Sequence, residues 1–150
     1  MATSAEQSVS VSKTIAASPQ EIFAILSNTE GHVAIDGSGT VRQTIDPIDL
    51  TLGTKFGMKM KLGVPYRMKS TVVEFEQDRL IAWCHFAKHR WRYELEDTEE
   101  GTVVTETFDW STSLFPKGIE IMGYPTSHPA NMTKTLEHLE SEVLRRRNSD

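Results

Sequence analysis

The chain has 150 residues, 38% of them hydrophobic and 25% charged, enough to bury a core without covalent staples. Its one cysteine, Cys84, excludes an intramolecular disulfide and a cysteine-based zinc site, and 16 Lys and Arg against 21 Asp and Glu give a formal charge of -5, the wrong sign for a dedicated nucleic-acid binder. The polar N-terminus has no leader pattern and no apolar run approaches the ~18 residues of a bilayer span, so the expectation is a cytoplasmic protein without membrane insertion.

Val9, Val11 and Ile15 alternate with polar residues, which predicts a half-buried first strand. Ser18-Pro19-Gln20-Glu21 then supplies a cap, a proline at the first helical position and a capping box, opening a short helix with Ile22, Phe23 and Leu26 on its apolar stripe. A second short helix is expected over Asn28 to Ile35, interrupted by Gly31 and stopped before Gly37-Ser38-Gly39, which lacks every phosphate-loop context and reads as a turn.

Strand patterns follow at 41–45, 54–62, 66–75, 79–86, 89–96 and 102–113, separated by turn residues. Intervals that short require an antiparallel meander, because parallel strands need crossover helices between them. In the second of these, Phe56, Met58, Met60 and Leu62 alternate with Lys55, Gly57, Lys59 and Lys61. The lysines, with Arg67 and Lys69, form a basic stripe on the outer face, read as protection against edge pairing. Leu80, Ala82, Cys84 and Phe86 are apolar, and so are Ile81 and Trp83, leaving the inward face of this strand open.

Leu114 to Pro129, rich in proline and glycine, reads as a lid-like connection. Met132, Leu136, Leu139 and Val143 then recur at spacings of four, three and four, the stripe of one amphipathic C-terminal helix whose end carries Arg145, Arg146 and Arg147 to complement its dipole. No repeat or linker divides the chain. The expectation is one domain over 1–150, with 1–7 a disordered tail and 148–150 a frayed end.

This order predicts an α+β helix-grip fold: a curved antiparallel sheet of about seven strands wrapped around a long C-terminal helix, with two short helices after strand one. A curved sheet and a helix cannot interdigitate everywhere, so an internal cleft between them is expected.

The chain resembles the START-like, Bet v 1-like superfamily that includes the polyketide cyclase/dehydrase and lipid-transport (SRPBCC) family. The resemblance runs from Ser8 to Arg147. It is carried by the opening strand into Ser18-Pro19-Gln20-Glu21-Ile22-Phe23, His32 to Gly39, Phe56 to Met60, Arg79-Leu80-Ile81-Ala82-Trp83, Trp91 to Leu95 and Gly101 to Trp110, in that order and spacing. It implies a cavity for a hydrophobic ligand, in members that transport lipids, bind hormones or cyclise polyketides.

Methionines and aromatics concentrate where alternation predicts an inward face, and both suit a flat or irregular apolar ligand. The expected lining is Phe23, Met58, Met60, Tyr66, Met68, Trp83, His85, Trp91, Tyr93, Trp110, Met122, Tyr124, Met132 and Leu136. The expected function is binding or transport of a small hydrophobic molecule, a polyketide, lipid or sterol-like compound, admitted past Phe115 to Pro129 and the loops near Gly37 and Gly63.

The alternative is a cyclase or dehydratase in the same cavity, with no metal or other cofactor. His85 or His32 would be its acid or base, Tyr66 a donor to a carbonyl and Asp109 an orienting carboxylate. Parity works against Asp109, which alternates with Glu106, Phe108 and Trp110. The only partner expected is the small molecule, without nucleic acid, in a monomer or homodimer.

Overall fold

The computed structural model describes residues 8–36, 41–44, 48–62, 64–84, 89–111 and 124–148, with the side chains of 41–44, 60, 62, 66, 68 and 124–128 outside that description. Strand β1 (Ser8–Ile15) leads into helices α1 (Pro19–Leu26) and α2 (Thr29–Ile35). Strands β2 (Val41–Thr44), β3 (Lys55–Leu62), β4 (Val64–Glu76), β5 (Leu80–Cys84), β6 (Arg90–Thr98) and β7 (Gly101–Asp109) follow, and α3 (Tyr124–Asn148) ends the chain. The strands make one antiparallel sheet in the order β1-β7-β6-β5-β4-β3-β2, so the first strand joins the last. With the long C-terminal helix against its concave side, this is the helix-grip architecture.

Local chemistry sets the elements as the residues predict. Ser18 accepts a hydrogen bond from the Glu21 backbone N–H while the Glu21 carboxylate accepts one from the Ser18 N–H, the reciprocal capping box. Asn28 caps α2 by accepting from the Glu30 N–H. Gly31 does not interrupt α2. It is a buried residue within the helix, where α2 comes into close contact with α1.

The register places Val9, Phe108, Trp91, Trp83 and Val72 in one row across the sheet, and Val11, Glu106, Tyr93, Ile81 and Phe75 in the next. Helix α3 covers this side, its buried stripe formed by Met132, Leu136, Leu139 and Val143. Each such side chain contributes roughly 1.5–3 kcal/mol by leaving water. A register shift between Val72 and Glu74 bends β4.

One further expectation is corrected and one open reading is resolved. The connection 114–129 is not loop to its end, because α3 begins at Tyr124 and carries Pro129 inside it. Pro129, the sixth residue of α3, lacks the N–H that would bond the residue-125 carbonyl, and its own carbonyl accepts from the Thr133 hydroxyl at 2.9 Å. The two apolar faces of β5 also have an explanation. Ile81 and Trp83 face inward, while Ala82 and Cys84 face outward, where Glu74, Arg90 and Arg92 flank them in the pairing register. Glu74 accepts from Arg90 at 3.1 Å and Arg92 at 2.6 Å, an ion-paired cover over an outward face that is also buried.

Candidate functional site

The middle of the concave face holds a carboxyl group where alternation calls for an apolar one. Glu106 lies between Val104 and Phe108 on the inward face of β7, stands opposite Tyr93 on β6 and Val11 on β1, and is 2% exposed. Tyr93, also buried, stands across from it, and its hydroxyl acts on the carboxyl's pKa. The carboxyl oxygen Oε1 has no partner among the described residues.

Burial pushes the Glu106 carboxyl up to about 8; the Tyr93 hydroxyl opposes the rise and the negative charge of Asp36, at the end of α2, adds to it. The Tyr93 hydroxyl is raised as well, first by burial and then by the neighbouring carboxyl. At neutral pH Glu106 therefore holds its proton and is a hydrogen-bond donor set in apolar walls.

A row of rings runs from this pair towards α2. Trp83 stacks on Tyr93 with centroids 5.5 Å apart and interplanar angle 28°, and His32 stacks on Trp83 at 4.4 Å and 24°. Phe56 presents its edge to both His32 and Trp83. The His32 Nε2–H donates to the Leu26 carbonyl at 2.7 Å, which fixes the tautomer and leaves the lone pair on Nδ1. Burial lowers its pKa to about 4, so the ring is neutral. His32 thus ties the end of α1 to the aromatic row.

A second cluster lies nearer the start of β1. Phe108, Trp110 and Met132 are buried together, with Val9 and Trp91 packed against them. The Phe108 ring lies 4.6 Å from that of Trp91 and 5.7 Å from that of Trp110.

Of the residues expected to line a site, Phe23, Met58, Trp83, Tyr93, Trp110, Met132 and Leu136 are buried and Trp91 is half-buried. His85 and Met122, and the side chains of Met60, Tyr66, Met68 and Tyr124, lie outside the described residues, as do the loops near Gly37 and Gly63 and most of 115–129. Phe23 contacts Phe75, at 5.5 Å, as part of the packing beneath α1. Asp109 is corrected: it alternates away from Phe108 and accepts from the Ser111 N–H at 2.9 Å and hydroxyl at 2.5 Å, a local turn rather than an orienting carboxylate.

The described residues also form two shallow hollows. One of about 320 Å³ is lined by Arg79, Glu94, Leu95, Glu96, Val103 and Thr105, and one of about 130 Å³ lies between β1 and α3. Neither is lined by Glu106. The residue itself escaped the sequence reading although Val104-Glu106-Phe108 signals it, a charge at an inward parity position.

The model of the family described as "Polyketide cyclase / dehydrase and lipid transport" matches residues 6–143. The chain belongs to this family. An uncharacterized protein of Mycobacterium tuberculosis, Rv0088, is 40% identical over 146 residues, covering 93% of this chain and 65% of that protein. The chain therefore spans just under two thirds of the curated relatives it matches.

Solved structures with the same fold include protein NE0264 from Nitrosomonas europaea, at TM-score 0.72 and 18% identity over 97% of this chain and 99% of that one. An AHSA1-like protein from Aeromonas hydrophila aligns at TM-score 0.65 and 17% identity, over 91% and 94%. At these identities the likeness is one of fold. Among the described residues no helix is long and apolar enough to cross a membrane.

Proposed function

We propose that this member of the polyketide cyclase/dehydrase and lipid-transport family binds a small, largely apolar molecule on the concave side of the sheet under α3, with Tyr93 and Glu106 as its polar anchor. The observation that carries the reading is the Glu106 carboxyl, 2% exposed, with Oε1 unpartnered among the described residues. Leaving such an oxygen unsatisfied costs about 1–3 kcal/mol, and groups of this kind concentrate at functional sites. A ligand with a carbonyl or hydroxyl oxygen accepts the Glu106 proton while its apolar body packs among Trp83, Trp91 and Phe108. The reading takes the protein to act in the cytoplasm, which a reduced, buried Cys84 fits.

The test is native mass spectrometry of protein purified without detergent, with organic extraction of whatever is bound, on the wild type and on Glu106→Leu. A stoichiometric apolar adduct in the wild type, depleted in the variant, is the expected result. A wild type that is apo and gains no thermal stability from fatty acids, sterols or aromatic polyketides overturns the reading.

The same geometry favours a second reading, an enzyme of cyclase or dehydratase type. A carboxylic acid that keeps its proton at neutral pH serves as a general acid towards a bound carbonyl or a departing hydroxyl. In that case Glu106→Gln, which keeps shape and hydrogen bonding, abolishes turnover of the extracted ligand class while binding persists. Turnover that survives the substitution excludes Glu106 as the acid.

A further inference from the structure

The charges of this protein are unevenly matched. Lys13 pairs with Glu140, Arg79 with Glu76, Arg90 and Arg92 with Glu74, Arg145 and Arg146 with Glu142, and Arg147 with Glu21. The remaining cations with described side chains, Lys134 apart, all sit on the β3–β4 hairpin. They are Lys55, Lys59, Lys61, Arg67 and Lys69, every one exposed and without a carboxylate partner among the described residues. The sequence from Leu50 to Val73 contains no Asp or Glu, in a chain whose net charge is -5.

The register makes this one cationic face. Lys59 stands opposite Arg67, Lys61 opposite Pro65, Gly57 opposite Lys69 and Lys55 opposite Thr71, all on the side away from buried Phe56 and Met58. A like-charged pair directly across two strands opposes folding, so Lys59 and Arg67 do not serve stability. The described pairing of β4 with β5 begins at Thr71 and Cys84, and β2 pairs with β3 on the hairpin's other edge. At the hairpin's end Val64 is 71% exposed, the most exposed of the large apolar side chains described.

We propose that the outer face of the β3–β4 hairpin is a docking surface for an anionic lipid bilayer, a peripheral contact that does not span the membrane. The cations lie within reach of one plane of headgroups, and Val64 supplies an apolar tip for the interface. An extended nucleic-acid contact fits less well, because β3 and β4 turn Phe56 inward and no described aromatic on the outer face offers a base a stacking partner. The inference is independent of the Glu106 site, which lies on the concave side.

The experiment is co-sedimentation of the full chain with vesicles of phosphatidylcholine alone and of phosphatidylcholine mixed with phosphatidylserine, at low and high salt. Wild type is compared with Lys59→Glu/Lys61→Glu and with Val64→Asp. K59E places a carboxylate opposite Arg67, converting a repulsive pair into an attractive one, so the variant is expected to keep its fold, checked by its melting temperature. Expected are binding to the phosphatidylserine vesicles only, loss at high salt, at least a ~30-fold weaker partition for the double variant and a smaller loss for V64D.

No binding at low salt overturns the proposal, as does equal binding to phosphatidylcholine, or binding that the charge reversal leaves unchanged. Tighter capture by polyglutamate or duplex DNA than by the anionic vesicles also overturns it, and assigns the face to a macromolecular partner.

Discussion

Tyr93 on β6 stands directly opposite Glu106 on β7, on the buried side of the sheet. The Tyr93 hydroxyl holds the Glu106 pKa down against the larger effect of burial, so the two side chains have separable effects. Tyr93→Phe is expected to raise the Glu106 pKa further above about 8. Glu106→Gln removes the ionisable group altogether and is expected to stabilise the ligand-free protein by about 1–3 kcal/mol at pH 8, where the carboxyl is partly forced to ionise. Urea denaturation of both variants at pH 6 and pH 8 checks this; a Glu106→Gln protein less stable than wild type at pH 8 refutes it.

The pH profile of stability has a shape set mainly by two buried groups. Glu106 is raised from 4.5 to about 8, so between those values the folded state binds the extra proton and stability falls as pH rises, by at most about 1.4 kcal/mol per unit. His32 is lowered from 6.5 to about 4, so between those values the unfolded state binds the extra proton and stability falls as pH drops, by a similar amount. The slopes oppose each other over roughly pH 4.5 to 6.5, where they largely cancel and His89, also lowered by burial, leaves a shallow fall towards lower pH, and above 6.5 only the loss through Glu106 remains. Denaturation midpoints at half-unit intervals test this. His32→Gln is expected to tilt that region downward with rising pH, and Glu106→Gln to abolish the fall above 6.5.

These two residues also show what the sequence reveals and what it withholds. Parity groups Trp91 with Tyr93 on β6, and Glu106 with Phe108 and Trp110 opposite Asp109 at β7, and burial shows which group faces inward. Glu106 shares the inward parity, but a single charge in an alternating strand is ordinarily at an edge or exposed, and only the pairing with buried Tyr93 shows otherwise. The burial of His32 depends on α2 resting on Trp83, a contact between residues 51 positions apart that no local pattern encodes. The double-faced burial of β5 was ambiguous for a similar reason, since Glu74, Arg90 and Arg92 cover it from two other strands. The helix starts, by contrast, are local, and Ser18-Pro19-Gln20-Glu21 was legible at once.

That start is doubly used. Glu21 closes the capping box and also accepts from Arg147 at 2.6 and 2.8 Å, joining the last turn of α3 to the first of α1. The Arg147 guanidinium is the main reason the Glu21 carboxyl is held down to about 2, with the Ser18 backbone N–H second. A lowered carboxylate stabilises the fold above its unfolded pKa and loses that contribution as pH falls from about 4.5 to about 2. The pair is exposed and screened, so Arg147→Ala is expected to lower the melting temperature only slightly, and less at high salt. Ser18→Ala removes the cap and is expected to cost about 1 kcal/mol independent of salt. Equal, salt-independent losses in both variants count against this division.

Gly31 positions His32 through an absence. A Cβ at residue 31 lies 1.9 Å from the Ile25 carbonyl oxygen and 2.8 Å from the Ile25 carbonyl carbon, backbone atoms that cannot step aside. Helix propensity favours alanine over glycine by about 1 kcal/mol, so the glycine in α2 serves its close approach to α1. That approach brings the His32 Nε2–H to the Leu26 carbonyl and its ring onto Trp83. Gly31→Ala is expected to destabilise by about 2–3 kcal/mol despite its propensity. In the folded fraction it should raise the His32 pKa from about 4 towards 6.5, read from the imidazole proton shifts against pH. Gly53, at φ +84 with nothing within 4 Å of its Cβ position, is the control: Gly53→Ala carries only left-handed backbone strain, about 1–2 kcal/mol, and leaves His32 unchanged. If Gly31→Ala is neutral, or lowers stability without moving the His32 titration, the close approach of the two helices does not set the environment of the ring.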